Sequence, residues 1–252
     1  MPIEAPRPLV ATFVLPPAAA GTFNRAYYRQ LRMWDERPYP ATMCNRARFD
    51  GEPEAIFSSA ARLFDERPRD NRFNPKELRP KGRAYVIREQ DGERAWDVMA
   101  WDVLGGAAPW PMTNVRNLGL AQWRKLAVDP ANRCIVPLTE FCEWTPEKHD
   151  LGDGKPPLKG EMWFSVTDQP IFAVAGFWQQ TKEGAGFTMV TCDPNKLVAP
   201  IHPKAMTTIL RPTDVNKWLR GSYDEVAALQ RPYDAEAMTV RGPIFPTRNS
   251  GS

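Results

Sequence analysis

Twenty-six of the 252 residues are proline, which is too many for a helical bundle. Proline lacks the amide hydrogen that an interior helical position needs, and its ring clashes with the turn before it. The chain is therefore expected to be built of short strands, turns and loops with few helices. Its hydrophobic content of 42% suffices for a full core, as one large domain or a domain with attachments. Segments rich in β-branched and aromatic residues predict strands at 83–89, 95–104, 133–138, 162–167, 171–177, 187–192 and 205–210. A helix is predicted over 55–64, where Ile56, Ala60, Leu63 and Phe64 share one side. A second is predicted over 213–219 with Thr213 as its N-cap. Residues 70–80 and the stretch after Gly221 read as loops, and the chain end as frayed. Strands outnumber helices without alternating regularly with them, which predicts an α+β fold with largely antiparallel pairing.

Residues 1–42 have a different texture. Pro6, Pro8, Pro16, Pro17 and an alanine run at Ala18–Ala20 interrupt any helical or strand period. Glu4 and the prolines also speak against a secretory signal. This segment is expected to be a disordered, removable or untranslated extension. The whole chain carries a net charge of +3, and without residues 1–43 it holds 28 basic and 27 acidic residues. Charge thus permits a nucleic-acid partner without demanding one, and a local groove would have to supply the phosphate contacts. No apolar run approaches the roughly 20 residues that cross a bilayer, so the chain reads as soluble. Four cysteines without CxxC spacing and two histidines make a zinc site or a disulfide framework improbable. No metal or cofactor is expected, and the compartment reads as reducing and cytoplasmic.

No nucleotide-binding, zinc-protease or serine-hydrolase motif occurs. What remains is a set of polar residues in apolar settings. Glu143 lies in Phe141-Cys142-Glu143-Trp144, where flanking aromatics would desolvate a carboxyl and raise its pKa towards a general acid's. Its other reading is a structural carboxylate paired with an arginine. His202 sits between Ile201 and Pro203 after an apolar run, whereas His149 lies in a charged loop. Asn114 and Arg116, two apart on an extended chain, point to one side and suit a sugar hydroxyl and a phosphate. Trp101 and Trp110 bracket Gly105 and Gly106; exposed, they would stack on unpaired bases, and buried, they would be core. Cys134, Cys142 and Cys192 are most simply packing residues.

Taken in order, the constellation is Met43-Cys44-Asn45-Arg46, Trp101-Asp102-Val103-Leu104, Asn114-Val115-Arg116, Arg133-Cys134-Ile135-Val136-Pro137, Phe141-Cys142-Glu143-Trp144, Ala175-Gly176-Phe177-Trp178 and Ile201-His202-Pro203-Lys204-Ala205-Met206. This resembles the SOS-response-associated peptidase (SRAP) family of abasic-site processing proteins, from Cys44 to about Leu219. The resemblance implies a single mixed domain with a β-barrel-like antiparallel centre flanked by helices, over 44–235, with 236–252 as a tail. It implies Cys44 as the catalytic N-terminal residue once Met43 is trimmed, with Asn114, Glu143 and His202 beside it. Arg46, Trp101, Trp110, Arg116 and Lys204 are then the expected DNA contacts. The partner is single-stranded DNA containing abasic sites, bound by a monomer in the cytoplasm or at the nucleoid. Departures from the family pattern include Cys142 in place of an aromatic, Asp102-Val103-Leu104-Gly105 after Trp101, and Lys204 where an arginine is usual.

An N-terminal cysteine suits that chemistry because it carries an α-amine and a thiol on one residue. An open-chain abasic aldehyde condenses with the amine, and the thiol closes a five-membered thiazolidine. Two alternatives use the same residues: a cysteine autopeptidase cutting at Met43–Cys44, with lyase or protease activity in attendance, and a single-strand-binding module without chemistry.

Overall fold

The computed structural model describes residues 45–50, 76–245 and 247. Cys44, the expected helix at 55–64 and most of the expected loop at 70–80 lie outside them. All described residues belong to one unit, Thr42–Ser252.

The first strand, β1 (Arg46–Arg48), is followed by a hairpin of β2 (Arg83–Gln90) and β3 (Glu93–Ala100). Asp91 and Gly92 turn that hairpin with φ of 53° and 82°, the doubly left-handed conformation that an Asp-Gly pair tolerates and that matches strand twist. Next come β4 (Asn114–Val115), helix α1 (Ala121–Val128), β5 (Arg133–Leu138), β6 (Glu140–Trp144) and β7 (Glu161–Val166). A second hairpin, β8 (Phe172–Thr181) and β9 (Gly184–Cys192), leads to the short β10 (Met206–Thr207) and β11 (Ile209–Leu210). The chain then forms α2 (Val215–Arg220), α3 (Tyr223–Ala228) and β12 (Met238–Ile244).

Two sheets result. Strands β1, β6, β7 and β12 form an antiparallel four-stranded sheet in that order. In the other, β2 pairs with β3 and β5, β5 with β8, β8 with β9, and β9 returns to β3, so five strands close into a barrel-like ring. The closing pair, Ala100 with Gly186, is parallel, as is β4 on β9. Closure there depends on glycine: a methyl at Gly186 would sit 2.2 Å from the Asp102 carbonyl oxygen. The expected α+β architecture with a barrel-like centre is what the chain adopts.

One core, with Ala47, Phe141, Phe164, Val136, Phe187 and Met189, joins the ring to the four-stranded sheet. A second, with Ile87, Ile135, Phe177, Trp123, Leu126 and Trp218, joins the ring to the helices. Fully buried Arg133 anchors the helices. Its guanidinium donates to the carbonyls of Ala127 and Val128 at the end of α1, and of Trp218 and Gly221 at the end of α2. Those are the carbonyls that a helix end leaves without an internal donor.

Local expectations fail in three places. Thr213 is not an N-cap; it lies in a 3-10 turn over Pro212–Asp214, and α2 begins at Val215. The stretch after Gly221 is not loop-rich, because Ser222 and Glu225 form a reciprocal capping box that starts α3. Residues 238–244, expected in a tail, pair with β7 as a strand. No helix among the described residues is long and apolar enough to cross a membrane.

Candidate active site

Side chains alternate across a strand, so Phe141 and Glu143 on β6 point to one face and Cys142 to the other. Phe141 stacks on Phe164 (centroids 5.0 Å apart, 14° between planes) within the core between the sheets. Glu143 is carried into the same interior and is 2% exposed. Its Oε1 has no hydrogen-bond partner among the described residues. Burial alone pushes its pKa well above the ordinary carboxylate range. The arginine-paired reading of Glu143 is therefore excluded among the described residues. Cys142, on the opposite face, is also buried, and its thiol is pushed up to about 12, chiefly by burial and then by Glu143. It is a packing residue and no nucleophile.

Asn114 sits on β4 opposite Met189 of β9. Val115 packs into the helix-side core, so alternation turns Asn114 to the face of Met189, towards the core between the sheets. Asn114 is 4% exposed, and its Nδ2 donates to Thr113 Oγ1 at 3.0 Å. The Thr113 carbonyl accepts both the Trp101 indole N–H at 2.8 Å and the Met189 N–H at 2.9 Å. Trp101 is itself fully buried and lies parallel to Phe187 at 6.4 Å. This corrects the expectation of Trp101 as a stacking surface for bases: it is core, and its indole fixes the backbone from which Asn114 projects. Behind it, buried Asp102 accepts from the amides of Leu104, Gly106 and Met112 at 3.2, 3.2 and 2.9 Å. That carboxylate organises the loop carrying Trp110, which is 39% exposed between Pro109 and Pro111.

His202 ends a turn that Asn195 organises. The Asn195 side-chain oxygen accepts from the amides of Leu197 and Val198, its Nδ2 donates to the Tyr233 carbonyl at 2.9 Å, and the His202 amide closes on the Val198 carbonyl. The His202 ring presents Nδ1 to the backbone of Ala205, 2.6 Å from its carbonyl and 3.2 Å from its amide. Val198 and Met206, on either side of His202 in sequence, belong to the core that Phe141 and Met189 share. Glu143, Asn114 and the His202 turn thus abut one core from three different elements. Lys204 is exposed on the same turn.

The remaining expected contacts fall elsewhere. Arg46 pairs with Cys142 across the sheet and so faces away from Glu143. It is ion-paired to Glu161 and Glu77 and lies over the Trp163 ring. It ties the outer face of the sheet together. Arg116, half-buried, is ion-paired to Asp193. Asn195, Asp102 and Thr113 escaped the sequence reading as organisers of the site. For Asn195 the signal was present, since an asparagine directly ahead of a turn is a capping signature. Among the described residues no group of three His, Cys, Asp or Glu has a metal-holding arrangement.

A family model described as SOS response associated peptidase (SRAP) matches residues 43–242. Among solved structures, a protein from Bacteroides thetaiotaomicron is similar at 22% identity with a TM-score of 0.60, covering 78% of this chain and 90% of that one. A protein from Bordetella bronchiseptica aligns at 20% identity and TM-score 0.56, covering 78% and 98%. A phage-related protein from the same organism aligns at 17% identity and TM-score 0.59, covering 79% and 93%. These structures share the fold. No curated protein matches the sequence significantly.

Proposed function

The chain belongs to the SOS response associated peptidase (SRAP) family, which ties it to DNA and the DNA-damage response, and from that premise we propose that it cross-links covalently to abasic sites in single-stranded DNA through Cys44. The observation that carries the reading is the desolvated Glu143 carboxyl, whose Oε1 has no hydrogen-bond partner among the described residues, beside the start of the described chain. Asn45, the residue bonded to Cys44, accepts the indole N–H of Trp144 at 3.4 Å, and Trp144 is the immediate neighbour of Glu143.

The steps balance without a cofactor. The Cys44 α-amine adds to the aldehyde carbon of the opened sugar, and loss of one water gives the imine. The thiol sulfur then bonds to the imine carbon while its proton passes to nitrogen, closing the thiazolidine. A carboxyl that keeps its proton is suited to donate it to the ring oxygen as the sugar opens and to the departing hydroxyl as the imine forms. Asn114 orients the sugar or the amine, and His202 relays protons at the sugar. Trp110, Arg116 and Lys204 serve as the stacking and phosphate contacts. The amine must be free, so Cys44 has to be the first residue of the active chain, with residues 1–43 removed or untranslated.

The test is intact mass of the natively expressed protein, followed by incubation with abasic single-stranded DNA. A chain starting at Cys44 should give an adduct one water lighter than the sum of its parts, and Cys44→Ala should give none. An adduct that persists in Cys44→Ala, or an adduct-free chain that starts at Cys44, overturns the reading. A mass starting at Met1 with no adduct does the same.

A further inference from the structure

The ion pair between Arg116 and Asp193 stands at a position where a carboxylate works against the partner of the site. Arg116 follows β4 directly, on the same side as Asn114 two residues earlier. Its backbone is clamped: the Gln230 side-chain amide donates to the Arg116 carbonyl at 2.5 Å and to the Thr191 carbonyl at 2.7 Å, tying the ends of β4 and β9 together. Asp193 follows the last residue of β9, its side chain 80% exposed against 34% for Arg116. The backbone that carries Arg116 is thus fixed, and a largely solvated carboxylate sits on its guanidinium.

We propose that Asp193 is an internal competitor for the DNA backbone, holding the Arg116 guanidinium in the free protein until a phosphate displaces it. The inference rests on the reading of Arg116 as a phosphate contact. An exposed pair of this kind contributes at most about 1 kcal/mol, so it is weak enough to be exchanged. A backbone phosphate carries the same single negative charge and can take the guanidinium through two parallel hydrogen bonds, where Asp193 makes one contact through Oδ1. The displaced carboxylate then stands beside the incoming phosphate as a like charge and takes up a cation. Asp193 therefore lowers the affinity for single strands and blunts its dependence on salt, which favours release from undamaged DNA.

The experiment measures binding of the full chain to an undamaged single-stranded oligonucleotide by fluorescence anisotropy across a salt series, so that no covalent step enters. Asp193→Asn should bind about three- to tenfold more tightly at low salt, from the loss of a competing pair and a like charge. Its plot of log affinity against log salt should steepen by up to about 0.7, the contribution of one phosphate contact on a single strand. Arg116→Ala should bind more weakly than the parent, and Asp193→Asn should add little in that background. Equal affinity and slope for Asp193→Asn and parent, with Arg116→Ala weakened, overturns the competition and leaves the phosphate contact standing. The same gain from Asp193→Asn with or without Arg116 reduces it to a general field effect and overturns it too. Arg116→Ala binding like the parent overturns the contact reading, and the competition with it.

Discussion

The two faces of the four-stranded sheet treat their carboxylates in opposite ways. On β6, Glu140 and Glu143 are three residues apart and point to opposite sides. Glu140 accepts two hydrogen bonds from Arg241, at 2.8 and 2.7 Å, and one from Arg48 at 3.5 Å. Glu161, on the same outer face, is 4% exposed yet takes Arg46 on one oxygen and the Trp163 indole N–H, at 3.0 Å, on the other. Three arginines surround that indole, with Arg48 3.8 Å from its ring centre. Glu143 is just as buried and has no such partner among the described residues. Burial by itself therefore does not make a proton donor. It is burial without a compensating donor that holds the proton on.

The comparison is broken most severely at Trp163. Its ring is 1% exposed and carries the arginine array, so Trp163→Ala should cost about 3–5 kcal/mol of stability, measured by chemical denaturation. A loss below about 1 kcal/mol would mean that the outer-face network holds itself together without the ring.

Next in size is Glu143→Gln, which keeps the shape and removes the proton. Adduct formation on abasic DNA should slow by about 100-fold, equivalent to roughly 2.7 kcal/mol in the barrier, with binding of undamaged strands unchanged. An unaltered rate would leave Glu143 a structural residue.

The same variant sharpens the contrast through pH. Glu143 holds its proton above the unfolded value of about 4.3, so the native state binds an extra proton between the two pKa values. Stability is thus fully present below the unfolded pKa and is lost as pH rises through the raised one. Glu143→Gln should remove that loss, giving a flatter stability profile above the unfolded pKa of about 4.3. Parallel profiles for variant and parent would show that the carboxyl ionises in place at no cost. The smallest effect belongs to the outer face: Glu140→Gln should cost no more than about 1 kcal/mol, since its partners are partly exposed, and should leave adduct kinetics untouched.

Much of the site was legible in the sequence because strand periodicity is local. The apolar run 133–138 and the Phe141-Cys142-Glu143-Trp144 segment already announce strands, and alternation alone sends Glu143 to the side of Phe141. The pairing of Asn114 with Arg116 on one side follows from the same rule. Less legible were α1 and α3, eight- and six-residue helices too short for a clear period, and β12, which Gly242 and Pro243 interrupt.

The sequence by itself determined the strand-rich class, the order of the chemical motifs and the face to which each side chain points. All of these depend on neighbours a few residues away. Only the tertiary structure decided that Trp101 is a buried brace for Asn114, that Arg46 serves Glu161 and Glu77, and that Glu143 Oε1 finds no donor among the described residues. Those outcomes turn on partners far along the chain, such as Arg46 with Glu161 across 115 positions and Arg241 with Glu140 across 101. Whether a buried carboxyl is neutralised by an arginine or kept protonated by its absence is a property of the space around it, and only folding brings that space into being.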